Sequence, residues 1–143
     1  MYLYVAATWL IANLVHPLML FLVYGAEDFD MDILGFGLQF VIYSFLFSIP
    51  SLFLSFLVMY VIFKLPLSSA GRYISWVISA PVIVVINYWL VFNVIFNTRM
   101  GKEGLEFMLP AMIAVVLAIL IRYASFFRAV ADFNKQENER DLV

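Results

Sequence analysis

The chain has 143 residues, of which 66% are hydrophobic and 13% are charged, and its mean hydropathy is +1.02. A soluble domain of this size has too little interior to bury so much apolar surface, so the composition excludes an ordinary globular protein and indicates an integral membrane protein. The net charge of −2 argues against a nucleic-acid partner, and the lack of cysteine excludes disulfides and thiolate metal sites.

Four apolar runs are each long enough to cross a hydrocarbon core of about 30 Å. They predict a single transmembrane domain over residues 1–143, which ends in an exposed polar tail at 128–143. The short links predict that successive helices are antiparallel. The predicted fold is therefore an all-α integral membrane protein, an antiparallel four-helix transmembrane bundle with spans at Tyr2–Tyr24, Ile33–Phe63, Tyr73–Asn97 and Phe107–Phe127.

The basic residues predict the orientation, because Lys and Arg favour the cytoplasmic side of a membrane. With four spans, both termini and the second link share one side, which carries six of the eight basic residues. We therefore expect both termini in the cytoplasm, with the protein in a plasma membrane or bacterial inner membrane. The six residues are Lys64, Arg72, Arg122, Arg128, Lys135 and Arg140, against Arg99 and Lys102 on the other side.

The first span carries Asn13 and His16 at membrane depth, followed at once by Pro17. Proline removes a backbone donor and weakens the preceding helical turn, so Pro17 is a possible hinge lined by polar groups. In the second span, Pro50 is a second possible hinge, and the length of that span requires a tilt or a bend.

Small residues recur on one face of each helix and predict close helix packing within lipid. In the fourth span this face follows Pro110, which we expect in the first helical turn. The predicted packing seam consists of Gly37, Ser44, Ser48, Ser51, Ser55, Ser75, Ser79, Ala111, Ala114 and Ala118.

Polar side chains from three spans are predicted at a similar depth. They form either a pocket for a cation or a small polar solute, or hydrogen-bonded contacts that hold the helices together. The candidate pocket residues are Asn13, His16, Ser44, Ser48, Asn87 and Asn93.

No motif assigns a cofactor, a metal or a catalytic group. One histidine cannot supply paired haem ligation. The acidic link Glu27–Asp32 begins like a calcium loop, but Ile33 stands where that loop needs glycine. The serines have no accompanying nucleophile turn or carboxylate–histidine pair, so nothing in the sequence argues for an enzyme.

Three functions remain open. The first is binding of another membrane protein, or of a second copy, in an accessory, assembly or immunity-type role. The second is a small transporter or channel subunit with a polar path near His16. The third is a membrane enzyme that acts on a lipid-soluble substrate.

Overall fold

The described chain is helical almost throughout, and no strand occurs among the described residues. The computed structural model describes residues 1–24, 33–99 and 101–140. The acidic link Glu27–Asp32 therefore lies outside the described residues. The elements in chain order are α1 at Tyr2–Tyr24, α2 at Ile33–Lys64, α3 at Ser69–Leu90, a π-helix at Val91–Ile95, α4 at Lys102–Ile121 and α5 at Tyr123–Arg140.

Four helical segments are long and apolar enough to cross a membrane, which indicates a multi-pass membrane protein. Large apolar side chains on their outer faces are exposed, such as Leu3 at 82% and Phe53 at 68%, as a lipid environment allows. The predicted all-α class is thus confirmed, with four helices long and apolar enough to span a membrane. The segments are Tyr2–Val23, Val41–Lys64, Ser69–Ile95 and Gly104–Ile121.

The third helix begins four residues before the predicted start at Tyr73. The hydroxyl oxygen of Ser68 accepts a hydrogen bond of 3.1 Å from the backbone N–H of Gly71, which caps the helix. Hydropathy places the boundary later because Arg72 is charged. The Arg72 guanidinium instead reaches out of the first turn and donates to Asn134 Oδ1 at 2.9 Å.

The fourth span also differs from its prediction. The helix α4 begins at Lys102, so Pro110 lies in its interior and is buried, rather than in its first turn. The helix α4 ends at Ile121, because Arg122 departs from helical geometry with φ −97° and ψ 17°. The predicted span 107–127 is therefore divided between α4 and α5.

The two candidate hinge prolines do not end their helices. Pro17 lies within α1 and Pro50 lies within α2, and both helices continue through them.

The four long helices pack in the order α1, α2, α3, α4 and back to α1. Both α1 and α3 pack against α2 and α4. One end of this arrangement is filled by a tight core of large side chains. Its members include Tyr4, Val5, Met59, Phe63, Trp76, Ile83, Ile119 and Phe126.

The helix α5 closes the packed end, so the predicted exposed tail is exposed only in part. Ala129 is 7% exposed and Val130 is 2% exposed, because both pack into the core. Polar contacts hold the outer face of α5, where Glu137 pairs with Lys64 of α2. Residues 141–143 lie outside the described part of the chain.

We expect Ala118→Leu to destabilise the protein by about 1–3 kcal/mol, because Ala118 is fully buried and a larger side chain overpacks its site. Ala124→Leu, at an exposed position of α5, is the matched control and should change little. Denaturation in mixed micelles monitored by circular dichroism measures both. Equal stability of the two variants would contradict the packing described for α4.

Candidate ligand cavity

A partly open cavity of about 320 Å³ lies between α1, α2, α3, the π-helix and α4, beyond the packed core. Its size falls at the lower end of the range of small-molecule sites in proteins, about 300–1,000 Å³. Most of its lining is aromatic or aliphatic, and no charged side chain lines it in the described part of the chain. The polar lining residues are Asn13, His16, Tyr43, Ser44, Ser48, Ser51, Asn87 and Tyr88.

Five of the six predicted pocket residues line this cavity. The sixth, Asn93, does not: its amide donates to the backbone oxygen of Trp89 at 2.9 Å, one turn earlier in its own helix. The difference arises because Asn93 lies in the π-helix, whose wider turn shifts side chains from the face that α-helical spacing predicts.

Asn13 is the most connected polar side chain of the cavity wall. Its Oδ1 accepts hydrogen bonds from the hydroxyls of Ser44 at 2.7 Å and Ser48 at 2.9 Å. Its Nδ2 donates to the backbone oxygen of Trp9 at 2.9 Å, which fixes the orientation of the amide. Asn13 therefore links α1 to two successive turns of α2.

His16 joins the same group to α4. Its Nε2 lies 3.3 Å from the backbone oxygen of Phe107, and its Nδ1 lies 3.2 Å from Ser44 Oγ. A carbonyl oxygen only accepts, so the contact with Phe107 requires a proton on Nε2. In the neutral ring Nδ1 then accepts, and the single proton of Ser44 is divided between His16 and Asn13.

Two further bonds complete a closed ring around the cavity. Tyr88 of α3 donates its hydroxyl to the Phe107 backbone oxygen at 3.1 Å, and Asn87 donates its amide to the Phe47 backbone oxygen at 3.1 Å. Each of the four helix pairs now has a polar bridge at this level. The bridges are Asn13 with Ser44 and Ser48 (α1–α2), Asn87 with the Phe47 carbonyl (α2–α3), Tyr88 with the Phe107 carbonyl (α3–α4) and His16 with the same carbonyl (α4–α1). We call these contacts the polar ring.

The turn before Pro50 supplies backbone acceptors to other helices. The backbone oxygen of Ser48 accepts from Trp9 Nε1 at 3.2 Å and from Ser51 Oγ at 2.6 Å. The backbone oxygen of Phe47 accepts from Asn87, as described above. Pro50 has no N–H for the backbone oxygen of Leu46, and the side-chain donors of Trp9 and Asn87 reach the two carbonyls that follow Leu46.

Aromatic side chains form the opposite wall of the cavity. Tyr88 and Phe92 stack with ring centroids 6.4 Å apart, and Phe92 and Phe96 follow at 6.2 Å. Residues four apart in an α-helix drift by about 40° around the axis. The π-helix turns less per residue, which brings Phe96 back to the cavity face. We define the aromatic wall as Tyr43, Phe47, Tyr88, Phe92 and Phe96.

The cavity opens between α2 and the end of α3. The two lining side chains that are exposed are Tyr43 at 55% and Phe96 at 48%, and both belong to this edge. Phe47 lies between them, stacked on Tyr43 at 6.1 Å and in edge contact with Phe96 at 5.4 Å. These rings form the exposed rim of the cavity.

The predicted packing seam has two environments. Ala114 and Ala118 are fully buried, whereas Ser44, Ser48, Ser51 and Ala111 face the cavity. Ser55, Ser75 and Ser79 are half-buried away from it, and the surroundings of Gly37 lie outside what the structure describes. Sequence reasoning missed the aromatic wall, although the spacing of Tyr43 with Phe47 and of Tyr88 with Phe92 is a visible signal.

No group of three or more His, Cys, Asp or Glu side chains lies close enough to hold a metal ion within residues 1–24, 33–99 and 101–140. What this arrangement offers chemically is hydrogen bonding next to flat apolar surfaces.

We expect Asn13→Leu to lower stability by about 2 kcal/mol, because it removes three hydrogen bonds, two of which join α1 to α2. Asn93→Leu removes only one bond within its own helix and should cost well under 1 kcal/mol. Reversible unfolding in sodium dodecyl sulfate measures the difference between the two leucine variants. A stability loss of the same size in both would contradict the central position of Asn13.

Comparison with known proteins finds no matching family model, no similar curated protein and no similar solved structure.

Proposed function

We propose that this protein binds a small, largely apolar molecule that enters the cavity from the bilayer. The observation that carries the proposal is the cavity itself, because helices that serve only to pack would close this space. It combines a largely apolar volume between the helices with a few convergent polar groups, which is the usual construction of a small-molecule site. The rim at Tyr43 and Phe96 gives access from lipid.

The packed core favours binding over conduction. A channel through one copy needs a polar path to both surfaces. Below the cavity stand Phe63, Trp76 and Phe126, each at most 2% exposed and packed together. A solute that enters at Tyr43 therefore meets a closed floor, which argues against the predicted channel role and in favour of a binding site.

An enzymatic role has less support. The polar ring contains one ionisable group besides the phenol of Tyr88, His16, which is engaged with Ser44 and the Phe107 carbonyl. Binding of another membrane protein stays a prediction, because exposed side chains such as Leu3 and Phe53 suit lipid as well as a partner helix.

We further propose that the helices form an antiparallel four-helix bundle with both termini in the cytoplasm of a plasma or bacterial inner membrane. The contacts between α1 and α4 support opposite directions: Arg122, after α4, donates to the Tyr4 backbone oxygen at 3.3 Å, whereas Phe107, early in α4, lies beside His16. The orientation rests on the excess of Lys and Arg at the packed end.

Photolabelling tests the binding proposal. A small phenyl diazirine, added to the protein in nanodiscs and mapped by mass spectrometry, should label Tyr43, Phe92 and Phe107. Ala111→Phe fills the cavity from α4 and should reduce this labelling at least tenfold, whereas Ala124→Phe, the exposed control, should leave it unchanged. Labelling confined to outward-facing side chains and insensitive to Ala111→Phe would refute the proposal.

Cysteine accessibility tests the orientation, because the native chain contains no cysteine. A single cysteine at Lys102 should react with an impermeant maleimide on intact cells. A single cysteine at Lys135, which is also exposed, should react only after permeabilisation. The reverse pattern would place the termini outside, and reaction of both on intact cells would contradict an even number of spans.

A further inference from the structure

The mouth of the cavity lies near the level at which the hydrocarbon core of a bilayer ends. Tyr43 precedes Lys64, the last residue of α2, by 21 residues, so the two are about 32 Å apart along the helix. This distance matches the thickness of a hydrocarbon core, about 30 Å. Phe96, the other exposed rim residue, directly follows the apolar segment that ends at Ile95. The rim therefore lies where hydrocarbon meets the headgroups of the leaflet opposite to the packed end.

From the rim the cavity extends inward along the helices. On α2 its lining runs from Tyr43 to Ser51, and on α4 it runs from Phe107 to Val115. Each stretch covers eight residues, or about 12 Å along its helix. Val115 also packs against the core, so it marks the closed end of the cavity.

The proportions of the cavity fit one extended chain. A volume of about 320 Å³ over a depth of about 12 Å gives a mean cross-section of about 27 Å². Nonbonded carbon atoms keep about 4 Å apart, so this cross-section admits one hydrocarbon chain but not two side by side. A single planar ring also fits the width, but it covers only part of the depth. A chain covers more of the apolar lining and therefore gains more from its burial.

The polar groups along the depth of the cavity need little from a ligand. Asn13 and Asn87 each keep a second amide N–H, but these residues are only 5% and 8% exposed and present little surface to the cavity. Five other lining residues already hydrogen-bond within the protein through their side chains. They are His16, Ser44, Ser48, Ser51 and Tyr88. The interior of the cavity therefore suits an apolar chain.

The rim offers an accessible polar group that the interior lacks. Tyr43 is 55% exposed, and its phenol hydrogen-bonds no other described residue. A phenol donates one hydrogen bond and also accepts, so it suits an oxygen-bearing head such as a carboxyl or an ester group. Because Tyr43 lies at the headgroup level, a head bound there stays at the bilayer surface while its chain points inward.

We infer that the ligand carries an unbranched hydrocarbon chain, which lies along the depth of the cavity with its end near Val115, while its polar head hydrogen-bonds Tyr43 at the rim. The inference rests on the proposed binding function and adds the shape and the direction of the ligand. A free fatty acid and one chain of a diacyl lipid share this chemistry, and the experiment below separates the two sources.

Depth-resolved photolabelling in nanodiscs tests the inference. Two dodecanoic acid probes carry a diazirine either beside the carboxyl group or near the terminal methyl group. The methyl-end probe should label the deep residues Val84 and Val115 about tenfold more than the carboxyl-end probe does, because carbenes react at contact distance and the two ends of the cavity lie about 12 Å apart. The carboxyl-end probe should show the opposite preference at Tyr43 and Phe96.

Competition tests the shape of the ligand, and a diacyl probe tests its source. Adamantane carboxylic acid has the same head as dodecanoic acid but a compact body, so it should displace the methyl-end probe about tenfold less well. A phosphatidylcholine that carries the diazirine at the methyl end of one chain reports on the second source. Labelling of Val115 by this lipid assigns the chain to the bilayer, and labelling by the free acid alone assigns it to a single-chain amphiphile.

Two pairs of variants test the named contacts. Tyr43→Phe removes only the hydroxyl and should lower labelling by both acid probes about fivefold, whereas Tyr60→Phe, at another exposed tyrosine of α2, should not. Ala111→Phe blocks the way to Val115 and should remove the deep labelling, whereas Ala124→Phe should retain it.

The outcomes separate the two proposals. If the phenyl diazirine labels the cavity but no chain probe reaches Val115, the binding function stands and the chain inference fails. Equal labelling of Val115 by the two acid probes, or equal competition by adamantane carboxylic acid, would also overturn the inference. If the phenyl diazirine does not label the cavity, the binding function itself fails. The comparison of the two acid probes uses the native chain, so misfolding of a variant does not affect it.

Discussion

The strongest constraint on this chain is that polar groups within lipid must find partners inside the protein, and the polar ring provides those partners. Asn13, His16, Asn87 and Tyr88 all lie at membrane depth, and each contacts a neighbouring helix. Three of their partners are backbone or side-chain groups near Pro50, where the proline has loosened the regular bonding of α2. The turn of α2 before Pro50 therefore carries acceptors that join this helix to α1 and α3.

The same ring explains why one end of the molecule is hollow. Each hydrogen bond of the ring joins two neighbouring helices, and the length of the side chains involved sets the distance between those helices. Inside the ring stand small residues, Ala12, Ser48 and Ala111, while the bulky rings of Phe92 and Phe96 stay at one side. At the other end the inward positions carry Phe63, Trp76 and Phe126, which fill the space. The size of the inward side chains thus leaves a cavity at one end of the molecule and a packed core at the other.

The sequence predicts the parts of this structure that follow from hydropathy and periodicity. Apolar length identifies the membrane helices, and helical spacing brings Asn13, His16, Ser44 and Ser48 to one level. The helix start at Ser69 depends on a single serine cap, and the break at Arg122 on local backbone angles, so neither follows from hydropathy. The misplacement of Asn93 has a specific cause, since a π-helix changes the spacing on which the prediction relies. The volume of the cavity is the small difference between the space among the helices and the volume of the side chains that fill it. Hydropathy and periodicity along the sequence do not contain this difference.

Water is the alternative occupant of the cavity, and the composition of the walls decides between water and an organic ligand. A water molecule needs two to four polar partners, and the aromatic wall supplies only two phenols, of which that of Tyr88 is engaged and that of Tyr43 lies at the exposed rim. Water at that wall leaves the flat faces of Phe92 and Phe96 without contacts and in a polar medium. An apolar molecule meets these ring faces directly, because its body covers the apolar surface while the polar edge keeps its own hydrogen bonds. The asymmetry between one polar edge and one aromatic wall is therefore the feature that favours an apolar ligand over solvent.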